Sequence, residues 1–349
     1  MANGRKICVI IGSRANWGRL KAVVKAIDEH PDLQLQLIVG ASAVDLPIPY
    51  PYEAVQCLVD GDNLQTMTLT TGLFLTQIGG VLERLKPDIM YLHGDRHELM
   101  APAIAAAYQN LGIAHGEGGD VTGTIDEKVR HAITKLADIH FPVTELSAKR
   151  IIAMGEYPDM VHMVGSTALD SLVGIDLTNN RTEPYLVILH HPNTTRQEDV
   201  GELIKAVGYF KMPKVWVNPN VDPGSKAMLK LIHKQDVEFV KNLPPEEYVR
   251  LIANCVCLIG NTSSGIKEGA FLGTPYVCVG ARQEGREHGN NVVFAECRKR
   301  DIIKQVCHQI DHGKYPRDYR FGDGTAGKKV AAILSRIEVR EKKFDSSEA

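Results

Sequence analysis

The chain has 349 residues, 44% of them hydrophobic and 23% charged, with a net charge of −2. That length predicts two domains, each able to close its own core, and the near-average composition excludes a disordered or fibrous chain. Near-neutral charge and only 6% aromatic residues argue against nucleic acid or a membrane surface as partner.

Strand and helix signals alternate from the start. Residues 6–11 form a β-rich run, followed by a Gly/Ser loop, a helical pattern at 20–27 and a strand at 35–39. A long helix at 64–85, a strand at 89–92, an alanine-rich helix at 101–108 and a strand at 113–115 come next. A helix at 127–136, a strand at 139–143, a helix at 147–154 and a strand at 160–164 complete the first half. Residues 174–184 (GIDLTNNRTEP) are polar and turn-rich and form the predicted linker. The alternation restarts with strand 185–189, helix 200–209, strand 214–218, helix 226–231, strand 255–258, helix 266–272 and strand 276–279. A charged amphipathic helix is expected at 327–342, before a short tail. Apolar strands alternating with helices mean βαβ units on parallel sheets. The expected fold is α/β: two Rossmann-like domains, residues 1–173 and 185–325, with a cleft between them and a C-terminal helix and tail at 326–349.

Seven cysteines without a C-x-x-C pair fit free thiols in a reducing compartment, and Cys255 and Cys257 read as small buried hydrophobes rather than metal ligands. The polar start of the chain predicts no signal peptide, and no apolar stretch reaches the ~18 residues of a membrane span. A cytoplasmic location is expected.

In doubly wound sheets ligands bind beyond the carboxyl ends of strands, so the loops there carry the chemistry. The first, Gly12 to Gly18, offers glycines for close approach, helix N–H groups and the forked cation of Arg14. Its plain alternative is a strand–helix turn with a solvated arginine. The second, His93 to Glu98, places Asp95 and Arg96 directly after an apolar strand, where Asp95 could equally cap the next helix. The third, His115 to His131, crowds Glu117, Asp120, Asp126 and Glu127 with Lys128 and Arg130. Asp126 and Arg130 are four apart and share a face if a helix begins near Asp126. The alternative is a surface helix with an acidic first turn. His93, His115, His131 and His140 lie on different elements without metal-ligand spacing, so no metal is expected.

In the second half, His190 to Thr195 and Asn220 to Ser225 follow the first two strands. Gly260 to Glu268 opens a helix with three hydroxyls, two glycines and bare N–H groups suited to a diphosphate, and Glu268 one turn on could hold a ribose diol. An ordinary Ser/Thr cap is the alternative. Arg282 and Arg286, after the next strand, supply two cations beside it.

Together these loops resemble the hydrolysing UDP-N-acetylglucosamine 2-epimerase family, in order, from residue 7 to residue 292. The motifs are H-G-D-R at 93–96, E-G-G-D-x-T-G-T-I-D-E-x-x-R-H at 117–131 and N-T-S-S-G-I-K-E at 261–268. R-Q-E-G-R at 282–286 and H-P-x-T-T at 191–195 support them. The resemblance implies a GT-B-like pair of domains closing on a UDP-sugar, with no redox cofactor and no metal. UDP would leave the anomeric carbon as the C2 proton is removed. Water would then add to the glycal, releasing N-acetylmannosamine and UDP for sialic-acid-type sugar synthesis. By the match, Asp95, Glu117 and Asp126 are the catalytic carboxylates, their individual roles unassigned, and Arg130 orients one of them. Arg14, Arg96, His191, Asn220, Thr262, Ser263, Glu268 and Arg282 match positions that hold UDP. A homo-oligomer, dimer or tetramer, is expected.

The sequence departs from the family pattern at Asn16 and Trp17, at residues 40–45, which lack a histidine, and at Asp120. All three departures are expected to shape the sugar pocket. The readings kept alongside are the same chemistry on a related UDP- or GDP-sugar such as UDP-diacetylbacillosamine, a GT-B glycosyltransferase, and a non-catalytic nucleotide-sugar sensor.

Overall fold

The first strand shows how the sequence builds the layers. In K-I-C-V-I-I, Ile7, Val9 and Ile11 join one hydrophobic cluster while Cys8 and Ile10 join another on the opposite face. Both faces are covered, so the strand is a continuous apolar run rather than an alternating one.

The computed structural model describes residues 4–61, 63–193, 196, 198–219, 224–241, 243–340 and 342. The N-terminal half runs β1 (Arg5–Ile11), α1 (Arg14–Asp28), β2 (Leu33–Gly40), β3 (Glu53–Val55), α2 (Leu64–Leu85), β4 (Ile89–His93), α3 (His97–Tyr108), β5 (Gly112–Gly116), α4 (Asp126–Leu136), β6 (Ile139–Phe141) and α5 (Glu145–Ala153). The C-terminal half runs β7 (Leu186–Leu189), α6 (Val200–Val207), β8 (Lys214–Val217), α7 (Ser225–Ile232), β9 (Glu238–Val240), α8 (Pro245–Asn254), β10 (Cys257–Gly260), α9 (Lys267–Leu272), β11 (Tyr276–Val279), β12 (Val292–Ala295), α10 (Lys299–His312) and α11 (Ala326–Leu334).

The strands form two six-stranded parallel sheets, ordered β3-β2-β1-β4-β5-β6 and β12-β11-β10-β7-β8-β9. These are the two Rossmann-like domains expected. In the first sheet the order reverses between β1 and β4, in the second between β7 and β10, and loops beyond such switch points are where doubly wound folds bind ligands.

Several elements differ from expectation. α1 begins at Arg14 rather than residue 20, because the Ser13 side chain caps it by accepting the Asn16 N–H at 3.2 Å. Residues 160–164 are not a strand: a 3-10 turn at Pro158–Met160 leads to one isolated bridge between Val161 and His140. The last helix stops at Leu334 rather than continuing to 342, and its Val330, Ala331 and Leu334 pack in the core of the first domain. Strands β3, β9 and β12 and helices α8 and α10 were not anticipated.

The chain passes between domains twice, and the two passages touch. Val164 belongs to the first core and Leu169 to the second; Phe321 belongs to the second and Ala326 to the first. The Ser166 N–H donates to the Phe321 carbonyl at 2.7 Å. The seven cysteines are free, and among the described residues no helix is long and apolar enough to cross a membrane.

Candidate active site

The loops after β1 and β4 are tied together by Asn16. Its side-chain oxygen accepts the Gly12 N–H at 3.2 Å and its amide donates to the His93 carbonyl at 2.8 Å, with the residue buried. Trp17 is buried in the first core. Both were expected to shape the sugar pocket; in the structure their side chains serve the loop tie and the first core. Asn16 is a scaffold and Trp17 is packing.

Arg130 is the keystone of the loops after β4 and β5. It is fully buried on α4 and spends its guanidinium on four partners: the Asp95 carboxylate through Nε (3.1 Å) and Nη2, Glu127 Oε2 (2.7 Å), the Asp120 carbonyl (2.9 Å) and Thr122 Oγ1 (3.0 Å). Helical spacing points to Asp126 as its neighbour; the carboxylate of α4 that pairs with it is instead Glu127 at i−3, and the long-range partner is Asp95. Burial alone would raise the Asp95 pKa, but Arg130 and Arg286 outweigh it and hold the carboxyl below its ordinary range.

Glu117 leaves β5 with a φ of +64°, in the left-handed region that side-chain-bearing residues rarely occupy. The next turn needs Gly119, whose φ is +73° and whose Cβ would sit 2.2 Å from the Ser147 carbonyl. The conformation aims the Glu117 side chain into the cleft, where it is 6% exposed. Oε1 accepts from Ser166 Oγ at 2.9 Å, and Oε2 faces Lys267 Nζ at 3.0 Å and Arg19 Nη1 at 3.3 Å. Burial pushes its pKa up, Lys267 and Arg19 push harder the other way, and the net position is well below normal. Asp120 is held by the Arg286 fork at 2.9 and 2.7 Å, with Lys267 Nζ at 3.7 Å.

On the other side of the cleft, Asn261 organises the loops after β7 and β10. It accepts the His191 N–H at 2.7 Å and donates to the His191 carbonyl at 2.8 Å. The Thr262 side chain caps the Ser264 N–H at 3.2 Å, Ser264 Oγ donates to Glu268 Oε1 at 3.1 Å, and Ser263 Oγ accepts from Arg19 Nη2 at 2.8 Å. Arg282 Nη1 and Gln283 Nε2 both donate to the Asn261 carbonyl, at 3.2 and 2.9 Å. Gly123 completes the junction. Its N–H donates to the Arg282 carbonyl at 3.1 Å, and a Cβ there would lie 2.1 Å from the Ala281 oxygen.

Arg96, Thr124 and Asp126 of the first domain face Pro192 and Arg282 of the second across a small cavity. Asp126 is half-buried at the start of α4, its Oδ2 accepting from Thr124 Oγ1 at 3.1 Å. Arg96 forks onto buried Glu98, and Arg14 is exposed in the first turn of α1. Asn220, with Thr194 and Thr195 of the H-P-x-T-T motif, lies outside the described residues.

Three of the histidines near the cleft are buried and neutral. Burial lowers His93 to about 4, His115 to about 3 and His190 to about 3, so all three are neutral near pH 7. His115 Nε2 lies 2.8 Å from the Gly94 carbonyl, which can only accept, so that nitrogen carries the proton. Among the described residues no group of three or more His, Cys, Asp or Glu side chains could hold a metal ion.

Sequence reasoning passed over Arg19, Ser166, Lys267 and Asn261 as site residues. Arg19 and Ser166 reach the cleft from a helix interior and a domain crossing, neither of which leaves a motif, while Lys267 stood inside a recognised motif whose pattern does not show that its side chain crosses to the other domain. Asn261 stood inside a recognised motif, but only the fold shows that it braces a second loop.

The family profile described as UDP-N-acetylglucosamine 2-epimerase matches residues 25–335. The chain is 28% identical over 363 residues to a UDP-N-acetylglucosamine 2-epimerase of Neisseria meningitidis serogroup B, covering 96% of each chain. It is 29% identical over 362 residues to a UDP-N,N'-diacetylbacillosamine 2-epimerase (hydrolyzing) of Legionella pneumophila, covering 95% of this chain and 96% of that one. Its fold matches the Methanocaldococcus jannaschii UDP-GlcNAc 2-epimerase, solved in complex with UDP-GlcNAc and UDP, with a TM-score of 0.82 at 18% identity over 95% of this chain and 99% of that chain.

Proposed function

The chain belongs to the UDP-N-acetylglucosamine 2-epimerase family, and from that premise we propose that it is the hydrolysing kind, converting UDP-N-acetylglucosamine and water to N-acetylmannosamine and UDP. The observation that carries this reading is the juxtaposition of Asp95 and Glu117, held ionised on one side of the cleft, with the Gly260–Glu268 loop on the other.

The chemistry breaks two bonds to the sugar, C1–O and C2–H. The electrons of the C–H bond form the C1–C2 double bond of the glycal, and those of the C–O bond leave with UDP. A carboxylate takes the C2 proton. Water then adds its oxygen to C1, and a proton is delivered to the opposite face of C2. Buried carboxylates that are already ionised suit both needs: they accept a proton at close range, and they oppose positive charge at the anomeric carbon where water cannot screen it. Asp95 and Glu117 are such groups, with Arg130 fixing Asp95, and Asp126 is the third carboxylate of the catalytic set. Arg14, Arg96, His191, Asn220, Thr262, Ser263, Glu268 and Arg282 hold the nucleotide. The Legionella relative, at similar identity, carries the name of a diacetylated sugar, so UDP-N,N'-diacetylbacillosamine belongs in the same substrate panel.

The test is the reaction in water enriched in heavy oxygen and deuterium. Heavy oxygen should enter the sugar and not UDP, and one deuterium should appear at C2. Heavy oxygen in UDP means attack at phosphorus, and no deuterium at C2 means simple hydrolysis. A product that keeps its UDP means epimerisation without hydrolysis. Each of these results overturns the reading.

A further inference from the structure

Lys267 opens α9, next to the nucleotide loop, yet its side chain leaves its own domain. It is 3% exposed, and the carboxylates it meets, Glu117 and Asp120, both stand on the first domain, at 3.0 and 3.7 Å. A buried ammonium is expensive unless a counter-charge faces it. Here that counter-charge exists only while the domains touch. The backbone of α9 cannot follow the first domain, because Gly269, Ala270 and Leu272 are buried in the second.

Glu117 is thus linked to the nucleotide loop at two points: directly through Lys267, and through Arg19, which contacts Glu117 and donates to Ser263 Oγ at 2.8 Å. The charged and titratable groups around it are Arg19 from α1, Tyr91 and His93 from β4, Asp120 from its own loop, and Lys267 from α9. His93 is neutral and 3.8 Å away, so the cations are Arg19 and Lys267.

We propose that Lys267 is a positioning residue, fixing the Glu117 carboxylate from the nucleotide-binding domain so that Glu117 is held in place only when the two domains are closed. This rests on the epimerase reading, in which Glu117 acts on the sugar. Parting the domains takes away Lys267 and the Ser263 support of Arg19 and opens the Glu117 carboxylate to water, leaving it with one unsupported counter-charge and no fixed position. The reacting group is therefore assembled by the same movement that brings the nucleotide loop over the substrate.

The experiment compares Lys267→Met and Lys267→Arg with the wild type. Lys267→Met should lower kcat roughly tenfold or more and move the acidic limb of its pH profile upward by about 1 unit or more, the typical influence of an adjacent opposite charge. Affinity for UDP, by calorimetry, should stay within about twofold, and Lys267→Arg should restore most of the rate. In the Glu117→Gln background, Lys267→Met should cost little further turnover. Unchanged kcat and pH limb, or UDP affinity that collapses with Lys267→Met, overturns the proposal. A thermal double-mutant cycle on Lys267 and Glu117 needs no substrate and should be strongly non-additive. An additive cycle overturns the proposal whatever the turnover shows. A wild type that releases UDP from no UDP-sugar overturns the epimerase reading whatever the cycle shows.

Discussion

The two banks of the cleft are built differently. On the first domain the functional groups are full charges facing full charges: Asp95 on Arg130, Glu117 on Arg19 and Lys267, Asp120 on Arg286. On the second domain the polar loops are held largely by neutral side chains. Asn261 braces His191, Tyr276 Oη lies 3.0 and 2.9 Å from the Gly260 and Thr262 carbonyls, and Gln283 donates to the Asn261 carbonyl. Chemistry on a sugar needs carboxylates kept charged in a dry site, which only counter-ions can provide. Holding a diphosphate needs a rigid loop whose N–H groups are not already neutralised by an acid.

The contrast can be broken most forcefully at Arg130. Arg130→Met leaves Asp95 and Glu127 without their shared cation, and chemical denaturation should show a loss of about 3–5 kcal/mol, the usual result of removing one partner of a buried pair. A loss below about 1 kcal/mol would mean that the first bank does not depend on charge pairing. The carboxylates come next. Asp95→Asn, Glu117→Gln and Asp126→Asn should each lower UDP release by roughly two orders of magnitude or more, with UDP affinity hardly changed. Any of the three with near-normal turnover leaves the catalytic set.

Acid tests both banks together. His93, His115 and His190 have folded pKa values lowered to about 4, 3 and 3, whereas the unfolded chain binds their protons near pH 6.5. A depressed pKa gives stability that is present above the unfolded value and is lost as pH falls towards the folded one. Stability should therefore be flat above pH 7 and fall by on the order of 2 kcal/mol between pH 7 and 6 for the three together. The carboxylates Asp95, Glu117 and Asp120, also depressed, add a further loss as pH falls below about 5. Denaturation curves that coincide at pH 7 and 6 would show that these histidines are not kept neutral. The smallest effect belongs to the second bank. Glu268→Ala should weaken UDP about tenfold, worth about 1.4 kcal/mol, and leave turnover at saturation nearly intact. Unchanged UDP affinity in calorimetry would remove Glu268 from the nucleotide set.

Much of this was legible because the loops beyond parallel strands carry their polar residues in short unbroken runs. Helix α2 matched at both ends, since Asn63 caps it and Lys86 closes it in a left-handed turn. Strands β3 and β9 were missed because three residues give no usable period. Helix α10 does carry one, with Ile302, Val306 and Gln309 buried on a single face, but its polar surroundings masked it. In the site, spacing pointed to Asp126 as the neighbour of Arg130, whereas the fold delivered Asp95 from 35 residues away. Pairings such as Lys267 with Glu117 join residues 150 positions apart, and no local pattern encodes them.

The crossing at Ser166 and Phe321 has a mechanical meaning. A body tied to another by one strap can swivel and slide, but two straps laid side by side leave it a single line to turn about, as a door turns on its pins. Gly165 and Gly322 press together at that line: a Cβ on Gly165 would stand 2.9 Å from the Gly322 Cα. An opening of the cleft would therefore turn about that line, and closing it would bring Lys267 back to the same point. A side chain at Gly165 would pry the straps apart, loosen the axis and turn a reproducible stroke into a scatter of near misses.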